Sequence, residues 1–398
     1  MSNKTVVTYT LSRCVKCLKC IKACPSSALS MENNRIHVDK NRCLNCGHCI
    51  SACHSKGLLA QGSTLDDIAS YDYTVCMIPS ALISDCGSIT EAQELFYAIK
   101  MLGFDEVVDI TDIEGQVMKE GQLLAEAGSK SQIASFCPVI NLLIEKNYPM
   151  LLDHILPLKY PSEIAAAQIR KRTEGKGRVG IFNCCECEAK LALAKYPYGN
   201  NQYETDHALA IVDIFPKIKQ NMHTGTVPVS FCREGLQSIN PAVMMQKEDY
   251  LIADGFDKVQ SILDMEEFGL LDSFRLLTLF PCFNGCIGGH LLWGNSYLNR
   301  NNIHALTNEN AKNSSSVPFE SMYSSELGRP ADDKRSFHEK MSFFSQVNEK
   351  LDDLPGYDCS ACGMQTCRIM AEEIVKGNKT LNDCRILTAL KERKNERE

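Results

Sequence analysis

The sequence predicts an α/β central domain set between a small α+β module at the N-terminal end and a small helical, metal-binding module at the C-terminal end. Three observations predict this. Apolar runs of strand length alternate with helix-period segments through the middle of the chain. The 21 cysteines gather mainly at the two ends, at metal-ligand spacings. The length, 398 residues, suits two to four domains at roughly 100–200 residues each. The expected divisions are residues 1–65, 66–298, a polar linker over 299–350, and 351–398.

In the central region Val75 to Ile78 reads as a short buried strand. Leu95, Ala98, Ile99 and Leu102 then follow the i, i+3, i+4, i+7 pattern of a helix. Thr90 with Gln93 is read as its capping box and Gly103 as its stop. Val107 and Val108 begin the next strand, which makes a βαβ unit. Strands at Val179–Phe182 and Leu276–Phe280, with helical positions Val259, Ile262 and Leu263 between them, continue the alternation. Such alternation predicts a parallel sheet covered by helices. Gly175, Gly177 and Gly180 match a dinucleotide fingerprint, but they precede a strand instead of following one, so nucleotide binding is not expected. Asn299 to Arg335, rich in Asn and Ser, reads as loop.

Hydrophobic residues make up 44% and charged residues 23%, an ordinary globular composition. The 42 basic and 49 acidic side chains leave a formal charge of −7, which disfavours nucleic acid as a partner. No apolar run approaches the roughly 18–20 residues of a membrane span, and the first residues do not read as a secretory signal. No membrane insertion and a cytoplasmic location are expected. In a reducing compartment 21 cysteines point away from disulfides and towards metal. Thiolates are soft ligands that suit zinc, copper(I) or iron–sulfur clusters.

Cys14, Cys17, Cys20 and Cys24 form a C-x2-C-x2-C-x3-C run closed by Pro25, and Cys43, Cys46, Cys49 and Cys53 repeat it with His54 in the proline position. This is the run of bacterial ferredoxins, in which the fourth cysteine of each run ligates the other cluster. One 4Fe–4S cluster is therefore assigned to Cys14, Cys17, Cys20 and Cys53, the other to Cys43, Cys46, Cys49 and Cys24. Zinc sites more often use two separated cysteine pairs. Between the runs, Leu29, Met31, Ile36 and Val38 alternate around Asn33-Asn34 as a short hairpin. At the other end Cys359, Cys362, Cys367 and Cys384 form C-x2-C-x4-C-x16-C after the turn Leu354-Pro355-Gly356. A short helix is expected after Cys367, ending at Gly377. By spacing alone these four thiolates suit either a 4Fe–4S cluster or zinc. The segment resembles the small 4Fe–4S domain of some corrinoid and electron-transfer proteins, which favours the cluster.

Three middle segments carry further cysteines beyond apolar stretches: Ser135-Phe136-Cys137-Pro138, Cys184-Cys185-Glu186-Cys187-Glu188-Ala189-Lys190, and Pro281-Cys282-Phe283-Asn284-Gly285-Cys286-Ile287-Gly288-Gly289. Behind a double ferredoxin, and in this order, they resemble the S-C-C-P, P-C-x-A-K and A-C-P-G-G-C-x-x-G-G signatures of the iron-only (FeFe) hydrogenase large-subunit family, in its hydrogenase-like, sensory branch. The resemblance runs from the first ferredoxin cysteine to about Trp293. It implies a hydrogenase-like α/β domain with a 4Fe–4S cluster on Cys137, Cys187, Cys282 and Cys286. It also implies a diiron subsite bridged through Cys286, with Lys190 beside it as a catalytic residue. Cys184 and Cys185 remain alternatives to Cys187. With Cys76, Cys86 and Cys232 they are otherwise read as apolar packing.

The departures from those signatures set the functional expectation. Phe136 stands where productive hydrogenases usually carry a proton-relaying cysteine, and a phenyl ring cannot exchange protons. Glu186 replaces the proline of the second signature, and Pro281, Phe283 and Asn284 alter the third. The expected function is that of a multi-cluster iron–sulfur protein in electron transfer or hydrogen sensing, with slow or absent turnover. A redox or regulatory partner protein, and H2 itself, are the expected partners. A catalytically active FeFe hydrogenase, served by a ferredoxin-type electron donor, is the alternative, and a scaffold with purely structural middle cysteines is a third reading.

Overall fold

The computed structural model describes residues 5–195, 204–244, 247–309, 311–315, 322–323 and 335–395. The chain divides into two compact units: residues 61–330 form one, and residues 1–60 with 331–398 form the other.

The larger unit is built on a four-stranded sheet whose neighbours all run parallel. Its order is Glu106–Asp109, Tyr73–Ile78, Val179–Cys185, His207–Ala210. The two inner strands are apolar and buried almost throughout, as strands covered on both faces must be. A second parallel sheet runs Tyr250–Asp254, Leu276–Phe280, Gln132–Ile133. The expected βαβ unit is present, with helix Ile89–Lys100 burying Ala92, Leu95, Phe96, Ala98 and Ile99. Its N-cap is Ser88, whose Oγ accepts the Glu91 amide, so the cap lies two residues before the Thr90 position read from the sequence. Either hydroxyl-bearing residue suits an N-cap, but Ser88 is the one in extended geometry. Gly103 has φ +112 and stops the chain after the helix, as expected.

The polar stretch 299–350 is not simply a linker. Helix Ser296–Glu309 buries Ile303 and Leu306, and helix Phe337–Asp352 begins with a capping box between Ser336 and Glu339. Their polar faces conceal narrow apolar stripes, which composition alone reads as loop. Residues 310, 316–321 and 324–334 of this stretch lie outside the described residues.

In the smaller unit, strand Val7–Tyr9 pairs antiparallel with Leu58–Ala60, and the hairpin Leu29–Glu32 with Arg35–Val38 turns at Asn33 and Asn34, both left-handed. Helix Cys367–Val375 follows, capped by the Thr366 hydroxyl and ended by Gly377 at φ +78, as the sequence implies. No helix among the described residues is long and apolar enough to cross a membrane.

Candidate cluster sites

Three of the four central cysteines sit where parallel strands end, the edge at which open α/β sheets place ligands. Cys137 follows strand Gln132–Ile133 and is the N-cap of helix Pro138–Asn147, with Pro138 preset for the first helical turn. Cys187 lies between strand Val179–Cys185 and helix Glu188–Lys195. Cys282 follows strand Leu276–Phe280, and Cys286 lies in the tight turn Gly285–Gly288. Cys184 and Cys185 are the last two residues of their strand and fully buried, and Cys184 Sγ packs 3.4 Å from Cys76 Sγ. Cys86 and Cys232 are buried as well.

The glycines of the third segment are required by close approach. A Cβ on Gly285 would overlap the Ile239 carbonyl oxygen, one on Gly288 that of Phe283, and one on Gly289 that of Glu186. The Leu291 amide also donates to Glu186 O at 3.0 Å, which ties the second and third segments together. Changing Gly289 to alanine is expected to cost about 1–3 kcal/mol by overpacking. Urea unfolding checks it, and an unchanged midpoint would contradict the close approach.

Electrostatics couple these segments. Burial pushes up the thiols of Cys137, Cys187 and Cys286, and Glu186 opposes their ionisation while Lys190 favours it. Cys187 feels Cys282, and Cys286 feels Cys137. Half-buried thiols that feel one another in this way ionise at a cost unless cationic charge lies among them, and iron supplies it. Among the described residues no three His, Cys, Asp or Glu side chains converge on a single metal ion. A four-iron cluster needs no such convergence, because each iron takes its own thiolate. The donor set therefore fits that group.

Beside Cys286 lies a mostly apolar pocket lined by Phe136, Lys190, Glu114, Ser238, Met118 and others. The Phe136 ring packs 5.2 Å, centroid to centroid, from Phe280. Lys190 Nζ donates to Glu186 Oε1, one helical turn back, and the Glu186 side chain is 1% exposed. Burial pulls the lysine pKa down, but Glu186, Cys286 and Glu114 together hold it well above its usual value. Glu186 Oε2 is buried with no hydrogen-bond partner among the described residues.

Glu114 escaped the sequence reading. It lies in the first turn of helix Thr111–Ala127 and accepts from Ser80 N at 3.2 Å and from the Ser80 hydroxyl. Burial raises its pKa to about 7, against the pull of Lys190. Because the folded chain holds this proton more tightly than the unfolded chain, the stability it contributes is full below 4.5 and is lost as pH rises through about 7. The shift is worth about 3 kcal/mol. Glu114→Gln should flatten the pH dependence of urea unfolding across that window, and an unaltered slope would refute the assignment. No sequence signal marks Glu114, since an acid in a first helical turn is commonplace.

The end modules gather their cysteines. Cys20, raised to about 11 chiefly by burial, feels Cys53, Cys17 and Cys14. Cys49, also raised by burial, feels Cys46, Cys24 and Cys43. Backbone amides point at sulfur: Ala28 N lies 3.1 Å from Cys24 Sγ, and Gly57 N 3.2 Å from Cys53 Sγ. Such bonds favour a thiolate. At the other end Cys359, Cys362, Cys367 and Cys384 line one cavity with Leu354, Met364 and Met370. Four thiols around an apolar-walled cavity fit a bound cluster.

The folded chain thus has the make-up of an iron–sulfur protein. Residues 7–54 match the family model "4Fe-4S dicluster domain", residues 354–386 "Putative Fe-S cluster", and residues 74–223 "Iron only hydrogenase large subunit, C-terminal domain". Residues 74–223 are thus similar to the iron-only hydrogenase large-subunit family, in a chain that also carries ferredoxin-type and C-terminal iron–sulfur modules. No curated protein matches it. Among solved structures it is similar to an FeFe hydrogenase described for oxygen inactivation through its H-cluster 2Fe subcluster, at 15% identity and TM-score 0.46, covering 71% of this chain and 92% of that one. It is also similar to HydA(deltaEFG), described for stepwise H-cluster assembly, at 17% identity and TM-score 0.45, covering 73% and 92%. A variant of HydA1 from Chlamydomonas reinhardtii aligns at 16% identity and TM-score 0.46, covering 72% and 93%. Likeness at this level bears on neither activity nor ligands.

Proposed function

We propose that the chain is a four-cluster electron-transfer or hydrogen-sensing protein in which hydrogen turnover is slow or absent. The observation that carries this reading is Phe136, which lines the pocket beside Cys286 and Lys190 and offers no group able to move a proton. Cys14, Cys17, Cys20 and Cys53 hold one 4Fe–4S cluster, and Cys43, Cys46, Cys49 and Cys24 a second. Cys137, Cys187, Cys282 and Cys286 hold a third, and Cys359, Cys362, Cys367 and Cys384 a fourth. Bound clusters of this kind exchange single electrons. Lys190 is engaged by Glu186, so the pocket presents a paired rather than a free cation to any diatomic ligand of a diiron subsite on Cys286. The mostly apolar pocket around Phe136 leaves room for a small gas molecule. A redox or regulatory partner protein would take the electron or read the signal.

Glu114 favours the second reading, a working hydrogenase reducing two protons with two electrons to H2. It lines the same pocket with a pKa near the working range of a proton carrier. Iron and sulfide analysis of anaerobically matured protein tests the cluster assignment. About sixteen irons indicate four cubanes and about two more a diiron subsite. A content near eight would remove the central and C-terminal clusters from the reading.

A further inference from the structure

The smaller unit joins the two ends of the chain, and the seam runs beside particular cysteines. Gly363, next to Cys362, receives the Met31 amide on its carbonyl at 2.9 Å, closing the free edge of the hairpin strand. Its φ is +86, and a Cβ there would stand 2.5 Å from Met31 O, so only glycine allows this approach. Gln365, between Cys362 and Cys367, donates through Nε2 to Cys24 O at 2.7 Å and to Lys22 O at 3.3 Å, and accepts the Ser27 hydroxyl. Arg42, next to Cys43, donates to Glu372 at 2.9 Å on the helix that Cys367 begins. These bridges reach the backbone of Cys24 and the neighbour of Cys43, both of the second N-terminal set. By contrast Lys16 and Leu18, which flank Cys17, face Cys362 across an open polar groove.

We propose that the C-terminal cluster exchanges electrons with the cluster of Cys43, Cys46, Cys49 and Cys24, and not directly with that of Cys14, Cys17, Cys20 and Cys53. This rests on the proposed cluster assignment. Electronic coupling decays more slowly along covalent and hydrogen-bonded paths than across solvent, and the bonded path leads to Cys24. In each event one cluster loses one electron and the other gains it, with no proton or bond change. An external one-electron donor, dithionite in the test, fills the pair.

The test uses the full chain, matured anaerobically and reduced with dithionite, read by electron paramagnetic resonance for spin coupling of the C-terminal cluster. Removing the second set by Cys46→Ala with Cys49→Ala should abolish that coupling. Removing the first by Cys14→Ala with Cys17→Ala should leave it. A ligand-preserving pair, Gln365→Ala with Arg42→Ala, should weaken the coupling at unchanged iron content, which guards against misfolding of the cysteine variants. Coupling that survives loss of the second set, or disappears with the first, overturns the proposal. Cys362→Ala separates the two levels, since loss of about four irons shows a C-terminal cluster. Loss of none would instead defeat the cluster assignment itself.

Discussion

Replacing Phe136 by cysteine is expected to raise hydrogen evolution by about 10²–10⁴-fold in protein carrying a diiron subsite, because a positioned acid or base contributes about that much. The phenyl ring lies in the pocket wall with Cys286 and Lys190 and packs on Phe280. A thiol in its place restores a group that can take up and release a proton. It also removes ring volume from the core, at a cost of up to about 3–5 kcal/mol if the gap stays unfilled. Rates are therefore compared per iron, with reduced methyl viologen as donor and identical maturation. Equal rates in the two proteins, both with carbonyl infrared bands, would show that Phe136 does not limit proton delivery. In that case Glu114 becomes the candidate carrier, and Glu114→Gln should then lower the rate.

The second large effect concerns the Lys190–Glu186 pair. Lys190→Met leaves the Glu186 carboxylate almost fully buried without its cation, with Glu114 in the same pocket. Removing one partner of a buried pair costs about 3–5 kcal/mol, because the remaining charge stays desolvated. The double change Lys190→Met with Glu186→Gln should recover most of that loss, since neither charge is then stranded. Chemical unfolding of the three variants measures it. If the double variant is as unstable as Lys190→Met alone, the lysine acts through packing and not through its pairing with Glu186.

The local pattern of this fold was legible because strand and helix periods are strong where both faces are buried. Val75 to Ile78 is a continuous apolar run and Leu276 to Phe280 one broken only by Thr278, and the structure makes both into inner strands. The ferredoxin hairpin was equally readable, since Asn33-Asn34 favours the left-handed turn it adopts. Helix Ser296–Glu309 was not, because only a narrow stripe around Ile303 and Leu306 is apolar. Long-range features were also hidden. Nothing in Gln365 or Gly363 announces that they meet Cys24 and Met31, more than three hundred residues away in sequence. Glu114 enters the central pocket through the packing of its helix, which no local motif records. Glu186 was visible as a departure from a known signature, but its pairing with Lys190 emerges only once the helix Glu188–Lys195 brings the two side chains together.

On the proposed function this hydrogenase-like scaffold transfers electrons or senses hydrogen without rapid hydrogen turnover. Hydrogen evolution by the native chain, matured anaerobically to full iron content and driven by reduced methyl viologen, tests it most directly. The expected result is clusters that dithionite reduces, with hydrogen release at least about 10²-fold slower than from an FeFe hydrogenase matured in the same way. A native rate equal to that enzyme's would contradict an electron-transfer or hydrogen-sensing role and make the chain a working hydrogenase.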